Sequence, residues 1–510
     1  MSDRSKNNLI LIFILIVATT LRCYNLFEIP FTHDEFSALF RTQYSSFSEL
    51  LEKGIKPDGH PAGVQVFLYY YSRLFGKEEW IIKLPFIISG VAAVFMMYLI
   101  GRNWFGVTTG LICAAFMATL EYHVMYSQIA RPYVSGLTAC LFMVFFWHKV
   151  VFKPEKRFYQ NLSFYIITSA LCAYNHYFSL LFAIIVGFTG LFFIKKEKVL
   201  VYITAGILIF ILFLPYFSVF LYQLSLKGVG GWLGAPDNSF LLEYLKYIFH
   251  FSWFVFFEVI AVILLGFFFR TRDFAFNKKY FWISAIWFIL PFLTGFFYSK
   301  YVNPVLQESC LIFSFPFLLL AILSYTSNLS VLKNFIIVLV IIVINVSSLV
   351  FERRYYTLFY NSTYERIVEN THKVKNKYSS LTSIVDSHKR ISRYYIHKHS
   401  LDSNFTWYDE FKDINDFIQF LQNQKTQYLS YGSISGEDRV VPFIIKDYYP
   451  YLIEQKNYYN GMFYLYSKMP GIKASSEGYT HAYGFEQASD NWNLNNNRII
   501  KNNAFSGMYS

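Results

Sequence analysis

The chain has 510 residues, with 45 basic and 33 acidic side chains and a formal charge of +12. Hydrophobic residues make up 55% and charged residues 15%, against roughly 25% charged in a soluble domain. This excludes a disordered, collagen-like or disulfide-scaffold protein and argues against a wholly soluble one.

Residues 1–8 form a short polar head. The apolar run 9–21 continues to Leu26 without a small-residue cleavage site, which predicts a retained first helix rather than a cleaved signal. A long polar stretch follows over about 27–80. It holds the adjacent carboxylates Asp34 and Glu35, then Asp58, His60 and Pro61. Further apolar runs occur near 81–101, 107–121, 133–151, 161–175, 177–194, 199–222, 251–269, 280–298, 309–326 and 333–351. With the first helix, eleven membrane spans are expected (range 11–13). The segment 61–76 is short and aromatic and carries Arg73; counted as a span, it would invert every later loop.

Charge distribution decides between these layouts. With eleven spans and a cytoplasmic N-terminus, the inner loops and head hold about 15 basic against 4 acidic residues. They include Arg102, Lys149, Lys153, Lys195, Arg270, Arg272 and Lys279. The outer loops hold about 9 basic against 12 acidic residues. Residues 61–76 are therefore read as an outer helix lying at the interface. The +12 is an orientation signal, and no nucleic-acid partner is needed to explain it. Residues 352–510 carry 35 of the charged residues, about 22% of that stretch, and are expected to form a soluble domain outside the membrane.

On the outer side, four features stand out. The Asp34-Glu35 pair could simply be solvated, but carboxylates beside anionic headgroups are poorly placed without a task. Arg131 lies in EYHVMYSQIARPYV (residues 121–134), near Tyr126, Gln128 and Tyr133. It could be an interfacial arginine in an aromatic belt, or it could grip a lipid phosphate. His176 lies between two spans, and Lys83 at the outer start of another. Glu258 sits within a span, where an acid is a functional candidate, though the sequence identifies no partner for it. The stretch GVGGWLGAP (228–236), with Trp232, lacks GxxxxGK and is no phosphate loop. The five cysteines, Cys23, Cys113, Cys140, Cys172 and Cys310, show no metal spacing.

Together these elements resemble a known family. Arg22-Cys-Tyr-Asn-Leu26, a proline and Asp34-Glu35 are similar to the opening of GT-C membrane glycosyltransferases. The branch is that of protein O-mannosyltransferases and lipid A aminoarabinose transferases (glycosyltransferase family 39-like). His60-Pro61, Lys83-Leu-Pro85, Gly101-Arg102, Phe105-Gly106, Tyr126-Ser-Gln-Ile-Ala-Arg-Pro-Tyr133 and His176-Tyr-Phe178 resemble its further elements. The resemblance covers about 9–225 well and the rest in layout. Glu121 departs from the proline of many relatives. The loop NPVLQES (303–309) departs from their Arg-Tyr pair.

The resemblance implies a helical polytopic GT-C domain over 1–351 and an extracytoplasmic α/β domain over 352–510. It implies a multi-pass protein of the bacterial cytoplasmic (inner) membrane that moves a sugar from a polyprenyl-phosphate donor to an extracytoplasmic acceptor, with inversion. Asp34 and Glu35 would be catalytic, with Asp34 the general base. Arg131, Lys83 and Tyr133 would bind the donor phosphate, and His60, Asp58, His176 and Gln128 would orient substrate. Asp34, Glu35 and His60 are candidate ligands for a divalent metal, although nothing in their spacing demands one. The alternatives are a flippase or transporter of lipid-linked sugars and a non-catalytic envelope assembly protein. In the tail, residues 384–387, 426–432 and 463–469 are predicted strands and 409–424 a helix.

Overall fold

The computed structural model describes residues 2–155, 157–226, 233–268, 276–402, 404–434, 440–458 and 460–470, with the strand segments 475–478, 492–493 and 498–499. Trp232, most of the 228–236 stretch, Arg270 and Arg272 lie outside the described residues. The chain divides into two units, one spanning Met1–Tyr355 and the other beginning at Tyr356.

The first unit is helical. Helix Asp3–Cys23 is capped by the Ser2 side chain, with Asp3 in its first turn and Arg22 in its last, signs that suit the helix dipole. Asn25 then enters the left-handed region at φ 44° and turns the chain. Helix Ala62–Phe75 has 14 residues, about 21 Å at 1.5 Å per residue, too short for a hydrocarbon core of roughly 30 Å. Pro61 starts it and Gly76 ends it at φ 106°, a conformation that favours glycine. Arg73 fixes this helix to the preceding loop by donating to the Tyr44 carbonyl.

Every apolar run forms helix, but they do not all have the length of a span. Asp3–Glu28, Glu79–Trp104, Val134–Phe152, Lys196–Ser225, Lys278–Tyr301 and Val331–Leu358 are long and apolar enough to cross a membrane. Two bent pairs, Val107–Thr119 with Glu121–Ser127 and Phe240–Ile248 with Trp253–Gly266, bring the number to eight if each is one crossing. Among the described residues these lengths alone do not confirm the expected count of eleven. Tyr177–Leu191 has 15 residues. The run 309–326 resolves into a 3₁₀ turn, Glu308–Phe313, and an eight-residue helix, Phe315–Ile322. Hydropathy reports burial in lipid or in protein alike. Helix Val199–Ser225 exposes Phe210, Ile211, Leu212 and Leu214, an apolar surface of the kind lipid covers. The protein is a multi-pass membrane protein.

Small residues let the helices approach closely. A Cβ on Gly101 would come within 2.9 Å of the Gly110 Cα, so Glu79–Trp104 and Val107–Thr119 touch backbone to backbone. The 62° bend after Thr119 frees carbonyls that a straight helix would satisfy. Arg22, fully buried, supplies them: it donates to Met117 and Ala118 carbonyls at 3.1 and 2.9 Å and contacts His123 at 2.7 Å. Glu258, predicted without a partner, accepts from Asn345 of helix Val331–Ser347 at 2.9 Å. The five cysteines are free thiols.

The second unit is a mixed sheet with helices. Its strands are β1 (Leu381–Asp386), β2 (Thr406–Trp407), β3 (Tyr428–Ile434), β4 (Tyr451–Tyr458), β5 (Gly461–Ser467) and β6 (Ser475–Gly478), in the order β2-β1-β3-β5-β4-β6. β1 runs parallel to β2 and β3, whereas β5 is antiparallel to β3 and β4. Helices Ile414–Gln422 and Val441–Tyr448 bury Phe417, Leu421, Val441 and Ile445 against Ile384, Leu429 and Tyr431. The three predicted strands correspond to β1, β3 and β5, and the predicted helix shortens to 414–422 because Tyr408–Glu410 is a 3₁₀ turn.

Candidate active site

Thr32 caps helix His33–Phe40: its hydroxyl accepts from the Glu35 N–H, and the Glu35 carboxylate accepts from the Thr32 N–H. This capping box explains a carboxylate at the third helical position. The same carboxylate accepts from the Lys83 ammonium at 2.7 and 2.8 Å and from the Ala130 N–H at 2.7 Å. Lys83 also donates to the Gln128 carbonyl at 2.8 Å, and both side chains of the pair are fully buried. Glu35 and Lys83 therefore sit in the scaffold, neutralising each other and bonding the irregular backbone at 128–130. Glu35, expected to be catalytic, is thus engaged by Thr32, Lys83 and Ala130, and the ammonium of Lys83, expected at the donor phosphate, contacts Glu35 and the Gln128 carbonyl.

Asp34, one residue earlier on the same turn, has a different environment. It is half-buried, and among the described residues its carboxylate receives no hydrogen bond from another residue. Burial raises its pKa to about 6, Arg131 opposing and Asp58 and Glu35 adding to the rise.

The 58–60 turn meets Arg131. Asp58 forms an ion pair with Arg41 at 2.5 Å and accepts from the Gly59 N–H at 2.8 Å. Burial acts to raise Asp58, and His60, Arg131 and Arg41 outweigh it and hold the carboxyl below its ordinary range. His60 lies 3.1 Å from the Arg131 guanidinium and is pushed down by burial and by Arg131, so it is neutral at pH 7. Arg131 is 6% exposed, its Nε has no hydrogen-bond partner, and it forms no ion pair among the described residues. Burial opposes the charge, but Asp58 and Asp34 lie within electrostatic reach and outweigh it, so the guanidinium stays charged and its unoccupied Nε edge is a ready seat for an anion.

The remaining expected residues divide between this seat and its supports. Tyr133 lies within the electrostatic reach of Asp34 and Arg131 and packs on Tyr126 at 4.8 Å. The His176 ring lies 5.4 Å from that of His60 and 6.2 Å from that of Tyr133. Its Nδ1 accepts from the Phe178 N–H, capping helix Tyr177–Leu191. Gln128 is wholly a scaffold residue: it donates to the Arg22 carbonyl at 2.8 Å and accepts from Tyr355 at 2.5 Å. Asp34, Asp58, His60, Arg131 and Tyr133 thus share one site, and Glu35, Lys83, Gln128 and His176 hold it. Asp34, Glu35 and His60 do not bring three ligand atoms within 4.8 Å of one another; the group that does so among the described residues is Glu365, Glu369 and His399.

Sequence reading missed Arg41, which follows the last residue of helix His33–Phe40 and begins the turn Arg41–Gln43. It also missed Tyr355, for which there was no local signal. Glu121 was seen only as a departure from a proline. It forms a buried ion pair with Arg353 at 2.6 Å, and its N–H donates to His250 at 2.7 Å.

Residues 59–222 match the family described as dolichyl-phosphate-mannose-protein mannosyltransferase. No curated protein sequence matches the chain. The crystal structure of apo ArnT from Cupriavidus metallidurans is similar at a TM-score of 0.53 and 8% identity, covering 89% of this chain and 97% of that chain. The same protein bound to undecaprenyl phosphate gives 0.52 and 9%, covering 91% and 99%. The resemblance read from the sequence is borne out, and the chain has the GT-C fold.

Proposed function

We propose that this GT-C chain is an inverting glycosyltransferase that takes a sugar from a polyprenyl-phosphate lipid and transfers it to an acceptor outside the cytoplasm. One juxtaposition carries the reading: a buried arginine with an unoccupied Nε edge beside a carboxylate that, among the described residues, receives no hydrogen bond from another residue. The first suits a departing phosphate and the second a hydroxyl that must lose its proton. The match to a dolichyl-phosphate-dependent family and the fold of a protein crystallised with undecaprenyl phosphate support a prenyl-phosphate donor.

Asp34 removes the proton from the acceptor hydroxyl as that oxygen attacks the anomeric carbon. The bond from that carbon to the lipid phosphate breaks, and the phosphate leaves with the electron pair. Arg131 stabilises the charge gathering there, donating through its unoccupied Nε edge. Tyr133 and neutral His60 border the phosphate, and the Asp58–Arg41 pair keeps His60 and Arg131 in register. A phosphate leaves without a general acid. Glu35, Lys83, Gln128 and His176 act through position alone. The N-terminus lies in the cytoplasm, and the site faces the outer side of the inner membrane, where nucleotide sugars are absent and a lipid must carry the sugar.

The test is transfer by the purified protein from lipid-linked sugars extracted from its own membranes. Asp34→Asn is expected to fold and to lose ~10²–10⁴-fold in rate. Full activity in that variant would remove the base assignment.

A further inference from the structure

The loop that departs from the family pattern holds a second carboxylate without an assigned task. Glu308 starts the 3₁₀ turn Glu308–Phe313 and is half-buried. Among the described residues it has no ion pair and receives no hydrogen bond from another residue's side chain. Tyrosines surround it. Tyr122, 1% exposed, donates to the Glu308 carbonyl at 2.6 Å and so ties the loop to the ring cluster. Tyr122 packs edge-on against Tyr126, Tyr244 and Tyr247 at 5.4, 5.9 and 5.5 Å. Tyr126, Tyr244 and Tyr247 all lie within the electrostatic reach of the Glu308 carboxylate. The Tyr244 hydroxyl is buried and lies next to that of Tyr122.

This cluster is continuous with the candidate active site. Tyr126 stacks edge-on with Tyr133, two residues from Arg131, and Tyr133 in turn lies beside Ser309 and Cys310. From the phosphate seat at Arg131, the aromatic wall thus leads to Glu308. Burial raises the Glu308 pKa, so the carboxylate sits in its aromatic pocket at a cost that a ligand's donors would offset.

We propose that Glu308 and the tyrosine cluster form the subsite for the sugar ring of the lipid donor, Glu308 accepting hydrogen bonds from its hydroxyls. An ionised carboxylate offers two oxygens to a pair of neighbouring hydroxyls. Tyrosine rings present an apolar face to the C–H side of a sugar and a hydroxyl at their rim. The role is recognition, not proton transfer, and it rests on the proposed function.

The experiment is binding of three lipids to the purified full-length protein: undecaprenyl phosphate, and undecaprenyl phosphate carrying a pentose or a hexose. Wild type is expected to bind at least one sugar-bearing lipid more tightly than the sugar-free one. Glu308→Gln is expected to erase about 10- to 100-fold of that preference. Glu308→Asp keeps part of it. Affinity for undecaprenyl phosphate itself stays within about twofold, which also shows that the variants fold. The inference is overturned if wild type shows no preference, if Glu308→Gln retains it, or if affinity for the sugar-free lipid falls in step. Parallel transfer assays separate this from the function: sugar binding lost with Glu308 but no transfer by wild type sinks only the function. Transfer with the preference intact in Glu308→Gln sinks only the subsite.

Discussion

Replacing Asp34 by Asn removes a charge that the fold holds at a disadvantage. The Asp34 carboxyl is raised from 3.8 to about 6, and each unit corresponds to ~1.4 kcal/mol. The shift bounds the penalty at about 3 kcal/mol, and partial exposure of the side chain reduces it to ~1–2 kcal/mol. The sign follows from linkage. Between about pH 4 and 6 the folded state holds the proton more tightly than the unfolded state, so stability falls as pH rises through this window. Above it the penalty is constant, and below it the penalty vanishes. Asparagine carries no such penalty. The Tm of Asp34→Asn should equal that of wild type near pH 4, rise above it by about 1–4 °C by pH 7, and stay parallel beyond. Thermal unfolding of the detergent-purified proteins across pH 4–8 provides the measurement. Activity moves the opposite way: the wild-type kcat/KM is expected to climb through an acid limb near pH 6, and the variant loses both the limb and most of the rate. A Tm difference independent of pH, or a variant less stable than wild type at pH 7, would refute the environment assigned to Asp34.

Three further outcomes follow from the same geometry. Arg131→Ala should weaken binding of undecaprenyl phosphate about 10- to 100-fold, and Arg131→Lys should recover only part, because an ammonium lacks the fork of a guanidinium; equilibrium binding of the labelled lipid checks this. Glu35→Gln and Lys83→Met should each destabilise by about 3–5 kcal/mol, because each leaves the other charge of a fully buried pair without it. The double variant should lose less than the sum of the two, which thermal unfolding tests as a double-mutant cycle. Glu121→Gln should lower Tm by removing the carboxylate 2.6 Å from Arg353, and adding Arg353→Leu should restore part of the loss.

Much of the site was legible because its chemistry is local. The acidic pair follows a threonine three residues before Glu35, a capping box visible in the sequence. Arg131 stands in a recognisable run of polar and aromatic residues. What the chain order hides is which of these groups are already engaged. Lys83 and Glu35 are separated by 48 residues, and nothing local distinguishes a lysine facing a phosphate from one buried on a carboxylate. Glu121 and Arg353 are separated by 232, so the partner of Glu121 is invisible along the chain. The number of spans is hidden for a related reason: an apolar run records that a segment avoids water, not whether lipid or protein provides the shelter. In the second unit, alternating and amphipathic patterns located the main strands and the 414–422 helix, because there one face meets water and the other the core.

The central claim is transfer from a prenyl-phosphate sugar by an Asp34 base and an Arg131 phosphate seat. Its most direct measurement follows the purified protein with the lipid-linked sugars of its own membranes, reading released prenyl phosphate and the anomeric configuration of the transferred sugar together. The account predicts one prenyl phosphate released per sugar transferred, with the configuration inverted, and neither event in Asp34→Asn. Transfer with retained configuration, or release and transfer that persist in Asp34→Asn, would contradict it.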